Sequence, residues 1–334
     1  MTLQPPKVSI CIVSHNSASD LADCLACIGR LAYGPLEIVL VDCASEDDSV
    51  AVARRSLPAN LAHTIVESPD NLGFSGGMNR ALEEATGAYV LSLNPDTRPT
   101  GDFVDRLVAG ALAGGLRVGA VTGRLIRLQP ESDTPILDAC GMVLTWTWRH
   151  LDRGSGQPDR GQWATAERVF GATGAATLFS CSALEDVAID GRAFDVDFHS
   201  YREDAELCFR LRERGWEILY EPLARCGHGR TNLPERRRSM PSEVNFNSLK
   251  NRYLLRAYHQ DLANFLITLV PSLFRDLMAL GYVLATERSS LRAYSWLWNR
   301  RRRILARRRE VFARRSCSWW DLNRWFIRRR QPLE

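Results

Sequence analysis

Several short clusters in this chain carry side chains whose types and spacing can do chemistry. Asn94-Pro95-Asp96 follows the apolar run Tyr89–Leu93 and sets two oxygen-bearing side chains two residues apart. That arrangement suits a hard cation such as Mg²⁺ or Mn²⁺, and it equally suits an Asx turn opening the next helix. Glu203-Asp204 starts an expected helix over Glu203–Arg214, where the helix dipole favours acids and where a partly desolvated carboxylate can take a proton from a hydroxyl. The mixture of aromatic and polar residues just before it, Phe198-His199-Ser200-Tyr201-Arg202, is what substrate sites use and argues against a bare helix cap. Asp42 closes the run Glu37–Val41, where it can accept a hydrogen bond from a nucleoside or cap the turn Cys43-Ala44-Ser45. His228, between Gly227 and Gly229, can complete a metal shell or serve as a structural imidazole.

Asn71–Asn79 combines three glycines with a following helix, so backbone N–H groups there can come close to a phosphate or sugar. It is neither a GxxxxGK[ST] loop nor a GxGxxG fingerprint, which removes the main support for an ATPase or a nicotinamide enzyme.

These residues stand at the ends of elements that place them together. Apolar runs at Val8–Ser14, Leu36–Asp42, His63–Glu67, Tyr89–Asn94 and Val118–Thr122 alternate with helix-like stretches such as Ala18–Ile28 and Gly77–Ala85, a pattern that predicts a parallel α/β sheet covered on both faces. Ligands of such sheets bind at the carboxyl ends of the strands, where Ser14-His15-Asn16, Asp42 and Asn94-Pro95-Asp96 stand. Further on, a Gly-rich strand is expected within Val169–Ser180, a strand at Trp216–Tyr220 after Gly215, and helices over Val244–Tyr258.

The chain has 334 residues, 45% of them hydrophobic, enough for one large core or two modest ones. Nine cysteines, an odd number scattered through strand-like and helix-like segments, read as reduced buried thiols. Cys24 and Cys27 form a single CxxC with no second pair at zinc spacing, so they are expected to pack in a helix. Met1–Lys7 runs into a strand-like segment with no apolar leader pattern, and a cytoplasmic location is expected.

Residues 288–334 hold 15 of the 43 basic residues against three acids, Glu310, Asp321 and Glu334. Tryptophans lie among the guanidiniums, at Trp296, Trp298, Trp319, Trp320 and Trp325, beside Arg300–Arg303, Arg307–Arg309 and Arg328–Arg330. This composition suits an anionic lipid surface; a solvated basic helix and nucleic-acid binding use the same residues, and the expectation is membrane, not nucleic acid. Leu262–Phe274 is apolar but interrupted by Pro271 and followed by Arg275-Asp276, short of the ~20 residues a spanning helix needs, so it is expected to lie on a membrane or pack in the core.

Together, Val8–Asn16, Glu37–Asp42, Asn71–Asn79, Leu93–Asp96, Gly171–Phe179, Tyr201–Cys208 and Gly227-His228 resemble, in order and spacing, the inverting GT-A glycosyltransferases of family 2, and within them the bacterial rhamnosyltransferase-like branch that builds O-antigen and other surface polysaccharides. The resemblance implies a Rossmann-like nucleotide-binding mixed α/β sheet flanked by helices, with a C-terminal helical, basic extension. The implied divisions are a nucleotide-sugar half at 1–122, an acceptor half at 123–235 and a membrane-associating extension at 236–334. It further implies donor contacts from Ser14, Asn16, Asp42, Asn71, Gly76, Gly77, Asn94 and Asp96. Acceptor-side contacts fall to Gly171, Thr173 and Trp216, and Mg²⁺ or Mn²⁺ is held by Asp96 and His228.

Asp204, with Glu203 beside it, is implied as the general base of a single inverting displacement. Asn94 stands where the family motif often has Asp. The implied donor is a nucleoside-diphosphate sugar, with dTDP-rhamnose as the best guess. The acceptor is a saccharide or a polyprenyl-diphosphate-linked saccharide at the inner face of the membrane, to which the enzyme associates peripherally. Two alternatives remain at this point: a sugar-phosphate nucleotidyltransferase, and a non-catalytic nucleotide-sugar-binding or membrane scaffold protein.

Overall fold

A computed structural model describes residues 4–128, 134–230, 240–327 and 331–332. Arg236–Arg238, the boundary expected near 235, Arg328–Arg330 and Glu334 lie outside the described residues.

The first half alternates strands and helices as its apolar runs require: β1 (Val8–Ser14), α1 (Ala18–Ile28), β2 (Leu36–Cys43), α2 (Ser49–Ser56), β3 (Ala62–Ser68), α3 (Gly73–Glu84), β4 (Tyr89–Leu93), β5 (Thr97–Pro99), α4 (Phe103–Ala113) and β6 (Val118–Arg127). Short strands follow, β7 (Leu137–Ala139), β8 (Met142–Leu144), β9 (His150–Asp152) and β10 (Glu167–Arg168), then β11 (Ala176–Ser180), α5 (Cys181–Val187), α6 (Glu203–Glu213) and β12 (Glu217–His228). The extension comprises α7 (Ser242–His259), α8 (Leu262–Thr286), α9 (Arg292–Asn299), α10 (Arg301–Arg314) and α11 (Trp319–Ile327), with β13 (Gln331–Pro332) at its end.

One sheet runs in the order β13-β10-β12-β6-β11-β4-β1-β2-β3, with β5 added to β12 and β7 to β6. Strands β3, β2, β1 and β4 are parallel, placing Ser14 beside Asp42. The sheet is mixed, as the resemblance implies, and not wholly parallel as the apolar runs predict, because β11 inserts antiparallel between β4 and β6. Only the second half of the expected Val169–Ser180 strand is in the sheet; Gly171–Ala175 leaves it as a loop at the crevice.

Alternation along β1 splits the core. Ile10 and Ile12 pack with α1, α2 and α4, whereas Cys11 joins α3, α6 and the extension on the other face. Each such aliphatic side chain contributes about 1.5–3 kcal/mol on full burial. All nine cysteines are free thiols; Cys24 is buried in α1, and Cys27 is partly exposed.

The extension is not simply a basic surface. Leu322, Trp325 and Phe326 of α11 share a core with Phe170 and Phe209, and two expected lipid-facing arginines pair with the body instead: Arg303 with Asp197, and Arg307 with Asp195 (3.3 Å) and Asp190 (2.9 Å). Trp298, Trp319 and Trp320 remain exposed.

The apolar stretch does not end at Phe274 as expected. Helix α8 continues through Pro271 for 25 residues, because Asp276 is held by Arg252 (2.7 Å) and Arg256 (2.5 Å) of α7 and so does not break it. By length and composition it is long and apolar enough to cross a membrane, and Leu266, Val270, Leu273, Phe274, Leu277 and Met278 all face outward.

Candidate active site

At the carboxyl ends of β1 and β4 the chain encloses a cavity of about 930 Å³. Asn16, Asn71, Asn94 and Asp96 line it, together with Thr173, Gly174, Glu203 and Asp204 and with Arg149–Asp152, His228 and Arg230. The clusters expected to carry chemistry thus meet at one place, except for those set out below.

Asp204 owes its position to two segments. The loop before α6 turns through His199, Tyr201 and Arg202, all in the left-handed region at φ 61°, 71° and 73°, a conformation that non-glycine residues rarely hold without support. Support comes from α7, where the Asn251 side-chain amide donates to the carbonyls of Phe198 (2.8 Å), Ser200 (3.0 Å) and Tyr201 (2.6 Å), and the Lys250 ammonium donates to the Asp197 carbonyl (2.7 Å). From the other side, the Gly174 N–H donates to Asp204 Oδ2 (3.1 Å), while the Ala205 N–H donates to Oδ1 (2.7 Å).

Burial dominates the electrostatics of this pair. It pushes the Asp204 carboxyl up to about 6, with the charge of Asp152 adding to the rise and the two backbone N–H donors opposing it. Burial and the charge of Asp204 push Glu203 well above the ordinary carboxyl range, and among the described residues its Oε2 has no hydrogen-bond partner. The pair therefore divides its labour: the backbone donors favour the charge on Asp204, and Glu203 holds the proton.

Across the cavity, Asp96 Oδ1 lies 3.4 Å from His228 Nε2, and His228 Nδ1 lies 2.7 Å from Asp138 Oδ2. Burial disfavours the charged imidazole, but Asp138 and Asp96 outweigh it and raise His228 to about 9. Burial raises Asp96 as well, and the hydrogen bond and charge of His228 overcome this to hold it below the usual carboxylate range. Arg230 then bridges Asp138 (2.9 Å) to Asp152 (2.8 Å), which links this wall to the charge sensed by Asp204.

A carboxylate backing one imidazole nitrogen leaves the other for a cation, and a carboxylate oxygen with an imidazole nitrogen suits Mg²⁺ or Mn²⁺. The donor set at Asp96 and His228 therefore fits such an ion, with its remaining positions left to water and phosphate. Among the described residues no group of three His, Cys, Asp or Glu side chains gathers as a complete cage.

Several expected contacts lie elsewhere. Asp42 is buried and accepts from the Ser45 N–H (2.9 Å) and hydroxyl (2.6 Å), so it caps its turn and does not line the cavity. Ser14 is buried one step below the rim. Gly76 and Gly77 allow α3 to approach Leu72 and Val13, respectively. The glycine of that loop that reaches the cavity is Gly73, at φ 64°, where a Cβ would fall 2.4 Å from the His199 ring.

Gly171 packs on Cys208 and Met142 and does not itself line the cavity. Trp216 lies at the far end of α6, donating to Asp186 (2.8 Å) under Arg117. Asn16 and Asn94 do line the cavity, but the Asn16 side-chain carbonyl already accepts from the Glu46 N–H (2.8 Å). Sequence reasoning missed Asp138, Arg149, His150, Asp152 and Arg230. Arg149, His150 and Asp152 share one short charged run, whereas Asp138 and Arg230 stand in segments where the sequence shows no such signal.

The family model for glycosyl transferase family 2 matches residues 9–187, more than half of the chain. The chain belongs to glycosyl transferase family 2. Among curated family relatives, it is 26% identical over 219 residues to the poly-beta-1,6-N-acetyl-D-glucosamine synthase of Staphylococcus aureus (strain COL), covering 66% of this chain and 49% of that protein. It thus spans about half the length of the curated relatives it matches.

Solved structures of similar fold include GalNAc-T7 with UDP, GalNAc and Mn²⁺ (TM-score 0.58, 15% identity, 77% of this chain and 48% of that one). They also include the Pyrobaculum calidifontis mannosyltransferase PcManGT with GDP-Man and Mn²⁺ (0.54, 20%, 97% and 86%) and S. aureus TarS 1-349 with UDP-GlcNAc (0.54, 13%, 96% and 89%). These share the GT-A fold with this family 2 chain. Of the expected identity the family and the GT-A fold stand, while the curated relatives named are poly-beta-1,6-N-acetyl-D-glucosamine synthases, not rhamnosyltransferases.

Proposed function

We propose that this family 2 enzyme moves a sugar, with inversion, from a nucleoside-diphosphate donor to a hydroxyl of a saccharide or of a polyprenyl-diphosphate-linked saccharide in surface-polysaccharide synthesis. The observation that carries this reading is Asp204: a buried carboxylate on the cavity wall, fixed by two backbone donors and shifted to about 6. A base with that affinity is ionised at neutral pH yet still takes a proton in the transition state.

The acceptor oxygen bonds to the anomeric carbon as the bond from that carbon to the phosphate oxygen breaks. Its proton passes to Asp204, and the electron pair leaves with the nucleoside diphosphate. Glu203, neutral beside it, keeps a second negative charge off the site. Asn16, Asn71 and Asn94 offer the donor polar contacts from the sheet side. Asp96 and His228 would hold Mg²⁺ or Mn²⁺, whose chemistry is to neutralise charge gathering on the departing diphosphate. The activated phosphate makes a second acid unnecessary, unlike glycoside hydrolysis.

The relatives' names favour a UDP-N-acetylhexosamine over dTDP-rhamnose as donor. The outward apolar face of α8 and the exposed tryptophans support peripheral attachment to the inner face of the cell membrane.

To test this, the full chain is incubated with a panel of nucleoside-diphosphate sugars, Mn²⁺ and saccharide acceptors. Release of nucleoside diphosphate coupled to a product of inverted anomeric configuration is expected for one donor. A product of retained configuration would sink the single-displacement reading.

A further inference from the structure

The hairpin of β8 and β9 delivers a cation to the cavity that the reaction above does not use. Its turn closes tightly: the Thr145 N–H donates to the Arg149 carbonyl (2.9 Å), the Trp148 N–H to the Thr145 carbonyl (2.9 Å), and the Arg149 N–H to the Thr145 hydroxyl (3.1 Å). Trp148 sits in the left-handed region at φ 55°, which a bulky residue holds only when its surroundings over-determine it.

They do so here. The Trp148 ring is buried and stacked on Phe209 (5.5 Å), its Nε1–H donates to Asn264 Oδ1 (2.6 Å), and the Ser272 hydroxyl donates to the Trp146 carbonyl (3.2 Å). Asn264 and Ser272 belong to α8, the helix with the outward apolar face.

What the clamped turn positions is Arg149, on the cavity wall beside Arg202 and His150. Arg202 Nη1 is 3.2 Å from His150 Nδ1. Burial, with the charges of Arg202, Arg149 and Arg230, holds that imidazole neutral, so it accepts from Arg202. Arg230 is committed to Asp138 and Asp152, and Arg252 to Asp276. Among the described residues no carboxylate pairs with Arg149. A half-buried guanidinium without a counter-ion is costly, and a planar fork of donors fits phosphate.

We propose that Arg149 and Arg202 form a subsite for a phosphate of the acceptor, so that the acceptor is an amphiphile. Its sugar hydroxyl reaches Asp204, its phosphate sits on these guanidiniums, and its apolar chain leaves over Trp146 toward α8. This rests on the transferase reading above. The same chemistry could come from the donor's own diphosphate, and the experiment separates the two.

Full-length protein is titrated with a prenyl diphosphate in neutral detergent micelles, with the corresponding prenol, with phosphatidylglycerol in the same micelles, and with UDP, GDP, dTDP and CDP in the presence of Mn²⁺. The protein is expected to prefer the prenyl diphosphate over both the prenol and phosphatidylglycerol. Losing one charge-assisted contact should cost Arg149→Gln at least about tenfold in prenyl diphosphate affinity, with less loss in Arg149→Lys, while the best nucleoside diphosphate stays within about twofold.

An equal or exclusive loss of nucleoside diphosphate affinity assigns Arg149 to the donor and overturns the proposal. Wild-type protein that binds prenol or phosphatidylglycerol as tightly as prenyl diphosphate also overturns it, leaving the transferase reading in place. Failure to bind any of the four nucleoside diphosphates would strike that reading and the subsite together. Melting curves of both variants identify a folding defect, and Arg149→Lys supplies the comparison if the glutamine variant does not fold.

Discussion

Helix α6 carries two sets of buried acids about one turn apart, and their surroundings treat them in opposite ways. In the first turn, Glu203 and Asp204 face the cavity, backbone N–H groups donate to Asp204, and burial drives both acids upward. One turn on, Glu206 is clasped by Arg210 through Nε (2.7 Å) and Nη2 (2.6 Å), with His259 Nε2 at 3.6 Å. Burial raises Glu206 too, but Arg210 and His259 bring it down to about 2. Arg210 also donates to the carbonyls of Val187 (2.7 Å) and Ala193 (2.6 Å), so the paired set ties α6 to α5 and the loop beyond it. An acid clasped by an arginine inside the protein is a structural part; an acid held at a cavity by backbone N–H groups is available for a substrate.

The largest break in that comparison is Asp204→Asn. Removing a general base typically costs ~10²–10⁴ in rate, and transfer should fall by about that factor while nucleoside diphosphate binding and the melting temperature hold or rise. Stopped or single-turnover assays beside thermal melts read both quantities. Turnover within a few-fold of the parent would take the base role away from Asp204.

Glu206→Gln should do the reverse. It leaves Arg210 charged and buried without its carboxylate, a change that typically destabilises by about 3–5 kcal/mol, so the unfolding midpoint in urea should drop sharply. Whatever protein remains folded should still bind nucleoside diphosphate. A stable, inactive Glu206→Gln would mean that the second set of acids also serves the reaction.

How much of this could be read beforehand follows from the range of the interactions. The ends of β1 and β4 were legible because apolar runs are local, and Asn16, Asn94 and Asp96 do reach the cavity. Asp42, Gly76 and Gly77 do not line the cavity, and the sequence leaves that open because short or polar residues at strand ends also cap turns and admit helices, and only packing decides between the uses. Asp138 and Arg230 were illegible. Asp138 meets His228 across 90 residues of sequence, through the pairing of β7 on β6 beside β12, and no spacing rule foretells that register. The antiparallel insertion of β11 was hidden for the same reason. In the extension, the mixture of Trp and Arg is real, but Trp325 is core and Arg307 is paired, because the acids of the body select which cations turn inward.

A pH titration sharpens the contrast with the smallest effect. Transfer needs Asp204 ionised, so activity should fall about tenfold per unit as pH drops below about 6. Stability should not follow it down over the same range. A carboxyl raised in the folded state above its unfolded value of about 3.9 destabilises the fold when ionised, and protonating Asp204 between about pH 6 and 4 relieves that cost. Glu206 works with the opposite sign: its depressed folded value gives stability that is fully present above about 4.3 and is lost only as pH falls toward about 2. At pH 5 the enzyme should therefore be slow yet at least as resistant to heat as at pH 7, and the residual activity of Asp204→Asn should lack the acid limb. Parallel loss of activity and melting temperature between pH 6 and 5 would instead place the titrating group in the structural set.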